Sequence, residues 1–263
     1  MWFVPKGIGK FSFVKIEGSV QEYQGIGKRM QAYDDFLSRV QDIHRYSSLQ
    51  GHLGWDQEVL MPSRGGESRG EILAWLAGKR HELLTDPEMG SLLTKLESQE
   101  LDADQEANVR EMRRSYDQAV KLPKEFVESF AKVRSKALVA WQEARAASDF
   151  SMFKDTLESL IGMTRTKINY LGISSTPYDV LLDEYEVGMT VADYDPLFAG
   201  LKERLVPLLQ SITDAQKEME EPTLPDTLRF PIPAQERFCE EISKRMGFDF
   251  DAGRMDASTH PFS

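Results

Sequence analysis

Three observations predict a mainly α, multi-helical protein. Apolar residues recur at helical spacing from Met30 onward, proline and glycine stand at the ends of those periodic stretches, and no strand alternates with them in a βαβ pattern. No repeat of fixed period and no low-complexity tract interrupts the pattern.

Taken in order, Tyr33, Phe36, Leu37, Val40 and Ile43 follow the i, i+3, i+4, i+7 rule and form one buried stripe. Leu73, Leu76, Ala77, Leu83 and Leu84 repeat it in a second helix that stops at Thr85-Asp86-Pro87. There Asp86 can cap and Pro87 can open the next helix, a short one carrying Leu92, Leu93 and Leu96. Val109, Met112, Tyr116, Ala119 and Val120 mark another helix. It ends at Leu122-Pro123, because the residue before proline disfavours helical angles. Pro123 starts a long helix with Phe126, Val127, Phe130, Val133, Ala137, Trp141 and Ala144. Ser148 and Asp149 are cap candidates for the next, which holds Phe153, Leu157, Leu160 and Ile161. A later helix carries Leu197, Phe198, Leu201, Leu205, Leu208 and Leu209, and another runs from about Pro233 to Met246 with Gly247 in the stop position. The Pro-rich stretch at residues 221–233 reads as a loop. Residues 1–29, rich in glycine, aromatics and lysine, read as an extension before a helical portion spanning 30–263; Phe11, Phe13 and Ile16 hint at a short strand there.

Composition narrows the function classes. At 263 residues with 41% hydrophobic and 29% charged residues, the chain has the balance of a globular protein and is long enough to bury a substantial core. A net charge of −11 argues against nucleic acid or an anionic membrane surface as the main partner. No run of about 18 apolar residues exists to span a bilayer, and the first 29 residues lack the apolar core and cleavage site of a signal peptide. Cys239 is the single cysteine, which rules out an intrachain disulfide and a CxxC pair. It reads as a small buried hydrophobe, and the cytoplasm is the expected compartment.

The four histidines are the first place to seek a metal. His81-Glu82 opens a near miss to the zinc-peptidase helix, but the position four residues after His81 is Thr85, not a second histidine. His44 and His52 stand eight apart, with Gly51 and Gly54 expected to end the helix near them. No phosphate loop, dinucleotide fingerprint or serine nucleophile elbow is present, and the Gly-Lys stretches near the start lack the required spacing. Three stretches remain unusual for helical filler. Asp56 and Glu58 in "GWDQEVLMP" lie two apart and point different ways on a helix, which favours capping or turn roles. "YDVLLDEYEVGMT" reads as an amphipathic helix with an acidic face (Asp183, Glu184, Glu186) ending at Gly188. The third is "GRMDASTHPFS" at residues 253–263.

Taken together, "WDQEVLMP", "PYDVLLDEYEVGMT" and "MGFDFDAGRMDASTHPFS" closely resemble the Taq-type thermostable carboxypeptidases, a family of zinc metallopeptidases. "VREMRRSYDQAVKLP" and "AWQEARAASDF" match in character, so the resemblance runs from about Met30 to Ser263. It implies the N-terminal half of a clam- or saddle-shaped, gluzincin-like fold with a deep groove. It also implies homodimers that remove C-terminal residues one at a time from peptide substrates with broad specificity. The His-Pro-Phe triplet, here His260, Pro261 and Phe262, is implied to line or brace the active-site region.

In that family the HExxH helix, the third zinc ligand and the carboxylate-binding motifs follow His-Pro-Phe, and this chain contains none of them. Zinc is therefore expected in the full-length family member and not on this chain, to which no catalytic residue and no metal ligand is assigned. The fragment is expected to be inactive by itself and prone to self-association. The alternative is a non-catalytic helical binding or regulatory module derived from the family.

Overall fold

The computed structural model of the protein describes residues 31–173, 175–218 and 229–260. Among the described residues there are nine α-helices and no strand: α1 (Gln31–Val59), α2 (Gly66–Leu84), α3 (Pro87–Glu97), α4 (Ala103–Ala119), α5 (Lys124–Ala147), α6 (Ser151–Leu171), α7 (Pro177–Leu182), α8 (Val191–Lys217) and α9 (Ile232–Arg245). The mainly α prediction holds. Residues 31–173 with 258–260 form one compact unit, and 175–257 form another.

The first unit is built on the predicted stripes. Phe36, Val40 and Ile43 of α1 meet Met89, Leu93 and Leu96 of α3, Val109 and Met112 of α4, and Leu84 at the end of α2. Tyr33 and Leu37 of the same α1 stripe pack at its margin. Burying each such large side chain contributes about 1.5–3 kcal/mol against the entropy of ordering it. Along the other side α2 lies against α5, and α5 against α6. The α2 and α5 faces bury Ala74, Ala77, Ala137 and Ala144, small side chains that let the backbones approach closely.

The helix ends follow local chemistry. The Asp86 carboxylate accepts from the Glu88 amide at 2.8 Å, with Pro87 in the first turn of α3. Asp102 and Gln105 form a reciprocal capping box on α4, at 2.9 and 3.1 Å. Ser148 ends α5 in the left-handed region (φ 52°), and Asp149 then accepts from the Ser151 amide at 2.9 Å to start α6. Each of the two cap candidates thus serves a different helix.

The second unit holds α7, α8 and α9. No residue of α8 or α9 is buried, and the apolar stripe of α8 is exposed along its length. Pro207 sits inside α8, where it removes one backbone hydrogen bond.

Three expectations need correction. Gly51 and Gly54 do not end α1, which runs unbroken to Val59. A glycine costs a helix only about 1 kcal/mol, and the anchors on both sides of the pair outweigh that. Cys239 is exposed, not buried, because α9 buries no residue at all. The acidic stretch is helical only to Leu182. From Asp183 the chain turns, with Asp183 accepting from the Gly188 amide at 2.9 Å and Gly188 at φ 80°. The Asp183 carboxylate thus serves a backbone amide in a turn and does not lie on an outer helical face. The extension at 1–29, Met30, residues 219–220 and residues 221–228 of the loop lie outside the described residues.

Candidate functional site

The site begins at the C-terminal end of α1. Successive residues on a helix point about 100° apart, so Asp56, Gln57 and Glu58 each face a different neighbour. Asp56 pairs with Arg69 of α2, whose guanidinium also donates to the Leu53 carbonyl. Arg69 is only 14% exposed and ties the last turns of α1 to the start of α2. Gln57 is buried and meets the buried Ser135 of α5. Its amide nitrogen donates to the Ser135 hydroxyl at 2.9 Å and carbonyl at 3.1 Å, and that hydroxyl donates back to its amide oxygen at 3.1 Å. Glu58 is half-buried, and burial pushes its carboxyl above the ordinary range, opposed by the charge of His260.

Helix α5 supplies the other side. Trp141 and Arg145 are four residues apart and therefore share a face. The Arg145 guanidinium lies 5.5 Å from the Trp141 ring centre. The His260 imidazole meets the same indole edge to face, with ring centres 6.1 Å apart and planes at 75°. Arg145 also donates to the Thr259 carbonyl, and the Ser258 hydroxyl donates to the His260 carbonyl at 2.7 Å. The first unit therefore brings together Glu58, Trp141, Arg145 and His260.

Of the residues implied by resemblance, His260 lies at this meeting point, while Pro261 and Phe262 lie outside the described residues. Asp56 and Glu58 point apart as their spacing predicts. Sequence reasoning missed Gln57, Trp141 and Arg145. The i, i+4 aromatic–arginine pair in "WQEAR" was the available signal, hidden because Trp141 also fits the apolar stripe of α5.

The other histidines have structural settings. His81 is buried in the last turn of α2, and its imidazole is pushed down chiefly by burial, while a hydrogen bond to the Leu122 backbone works the other way. Beside it, hydrogen bonds from Lys124 and Lys79 hold the Glu82 carboxyl down at about 2. Lys124 bridges from α5 at 2.8 Å, so the near-miss glutamate serves packing of α2 on α5. His52 Nδ1 lies 2.7 Å from the Ser48 carbonyl on α1. Among the described residues no group of three His, Cys, Asp or Glu could hold a metal ion. The described donor set at this site, one imidazole and one carboxyl, therefore does not fit zinc.

These features define a class before they define a family: a helical scaffold with polar and aromatic side chains gathered beside its α5 helix. The chain belongs to the carboxypeptidase Taq (M32) metallopeptidase family, which it matches over residues 35–263. It is 35% identical over 248 residues to thermostable carboxypeptidase 1 of Thermus thermophilus, covering 88% of this chain and 48% of that protein. To carboxypeptidase 1 of Bacillus subtilis it is 32% identical over 231 residues, covering 87% and 46%. Among solved structures it is similar to BsuCP (TM-score 0.80, 32% identity, 88% of this chain and 47% of that one). Metallocarboxypeptidase 1 of Trypanosoma cruzi follows at a TM-score of 0.72, with 34% identity and the same coverage. The chain spans about half the length of the curated relatives it matches.

Proposed function

We propose that this chain supplies one wall of the peptide groove in a zinc-dependent carboxypeptidase that releases C-terminal amino acids with broad specificity. His260, with Pro261 and Phe262, lines that groove. The observation that carries the reading is the gathering of Glu58, Trp141 and His260 within a chain that matches the family over residues 35–263. An imidazole close to a carboxyl whose proton affinity burial has raised can donate to a peptide carbonyl or terminal carboxylate, or accept from a peptide N–H.

Residues 1–263 contain no HExxH segment to supply zinc ligands and a general base, so by themselves they bind no stoichiometric zinc and hydrolyse no peptide. In a family member that carries such a segment, zinc would supply Lewis-acid polarisation and an activated water. Homodimerisation or self-association, and a cytoplasmic location, complete the proposal. Among the described residues no helix is long and apolar enough to cross a membrane.

The test measures zinc by elemental analysis, and amino-acid release from a short unblocked peptide, with residues 1–263 alone. The expected result is background on both. Stoichiometric zinc with turnover would overturn the claim that the chain alone is inactive.

A further inference from the structure

Residues 258–260 have little that would hold them in place through burial. Thr259 and His260 are both exposed, and the backbone there is irregular. An exposed irregular segment ordinarily samples many conformations. Here, however, two side chains of a single rigid helix reach it. Trp141 presents its indole to the edge-on imidazole of His260 at 6.1 Å, and Arg145 donates to the carbonyl of the preceding residue, Thr259.

The two anchors are themselves coupled. Arg145 lies 5.5 Å from the Trp141 ring centre, so the guanidinium that binds the Thr259 carbonyl also stacks on the ring that meets His260. A cation near an indole face and an edge-to-face aromatic pair are each favourable arrangements. Arginine suits this position better than lysine, because its planar fork can stack and donate at once. The position is also electrostatically favoured, since Arg145 lies in the last turn of α5, where the helix dipole favours a cation. Trp141 is half-buried in the body of the helix, so its orientation is set by α5 packing and not by the segment it holds.

We propose that Trp141 and Arg145 are positioning residues for His260, fixing its ring orientation and backbone position through α5. The helix acts as a clamp with two contacts to one short segment: the indole sets the tilt of the imidazole, and the guanidinium sets where its peptide unit lies. Glu58 on α1 is half-buried, and the charge of His260 acts on its carboxyl from another element. What this ring is positioned for rests on the groove reading above; that it is positioned does not.

The test is NMR of the 263-residue chain, with the four imidazole signals assigned by comparison with His260→Gln. In the parent protein the His260 ring protons are expected to carry the ring-current shift of the Trp141 indole. Trp141→Leu removes that shift and Trp141→Phe retains part of it, while circular dichroism keeps the helix signal. Arg145→Gln is expected to raise the fast backbone motion of residues 258–260. An unchanged His260 shift in Trp141→Leu overturns the proposal. If that variant fails to fold, unchanged backbone motion in Arg145→Gln overturns it instead. Adding a short peptide with a free C-terminus separates the two readings. A clamp that responds to these variants while His260 ignores the peptide upholds the positioning and sinks the groove assignment.

Discussion

At the scale of single residues, the buried Gln57–Ser135 pair shows what the "WDQE" motif does physically. Both residues are 5% exposed, and three hydrogen bonds of 2.9–3.1 Å satisfy both functional groups. Gln57→Leu keeps similar volume but leaves the Ser135 hydroxyl without its amide partner, so a loss of about 1–3 kcal/mol is expected in urea unfolding. The double variant with Ser135→Ala should recover part of that loss, because it removes the orphaned group; no recovery would mean the pair does not act through hydrogen bonding. Two glycines give opposite expectations from the same substitution. A methyl on Gly90 would lie 2.5 Å from the Tyr116 oxygen and 2.7 Å from its ring carbon. Gly90→Ala gains about 1 kcal/mol in helix propensity but forces a rigid ring off its packing against the core, at about 1–3 kcal/mol. Net destabilisation is expected. Gly51 has nothing within 4 Å of the added methyl, so Gly51→Ala should raise stability by about 0.5–1 kcal/mol. A lowered melting temperature would contradict the unbroken α1.

At the scale of elements, Asp179 decides how the second unit is joined. Its carboxylate accepts from the amide that starts α8, Val191, at 2.8 Å, and from Thr176 before α7 at 2.9 Å. The Val191 bond first, then the Thr176 bond, hold this carboxyl below its usual range. Protons therefore bind the unfolded chain more readily than the folded one. The contribution to stability is complete above the ordinary value of about 3.9 and is lost as pH falls through the folded value. The Val191 amide shift should titrate with a midpoint below that ordinary value, and Asp179→Asn should abolish the titration. A midpoint at or above it would remove the assignment. The same logic explains why this acidic stretch misled the periodicity argument. Carboxylates that bind backbone amides at helix starts look, in sequence, like those on a solvated face.

At the scale of the whole molecule, the two units differ in how they use apolar residues. The first encloses Phe36, Met89, Leu93 and Leu96, each at most 1% exposed. In the second, Leu197, Leu201, Leu205, Leu208, Leu209 and Ile212 of α8 are all exposed. Monomers rarely present contiguous apolar patches beyond a few hundred Å², so concentration-dependent association is expected in sedimentation velocity. Leu205→Glu with Leu209→Glu should reduce it; a parent protein that stays monomeric across the micromolar range would overturn the expectation.

The mainly α class, the helix start at Asp86 and the stripe of α1 follow from sequence alone, because spacing and capping are local and each is decided within a few residues. The motifs that carry the family resemblance were legible for the same reason. The fate of Gly51, the exposure of Cys239 and the convergence of Glu58, Trp141 and Arg145 on His260 belong to the tertiary structure. Each depends on which distant helix, if any, covers a given face, and residues 115 to 202 positions from His260 in the chain leave no local trace of meeting it. Periodicity says that a face is apolar; only packing decides whether it is buried, and what stands at its edge.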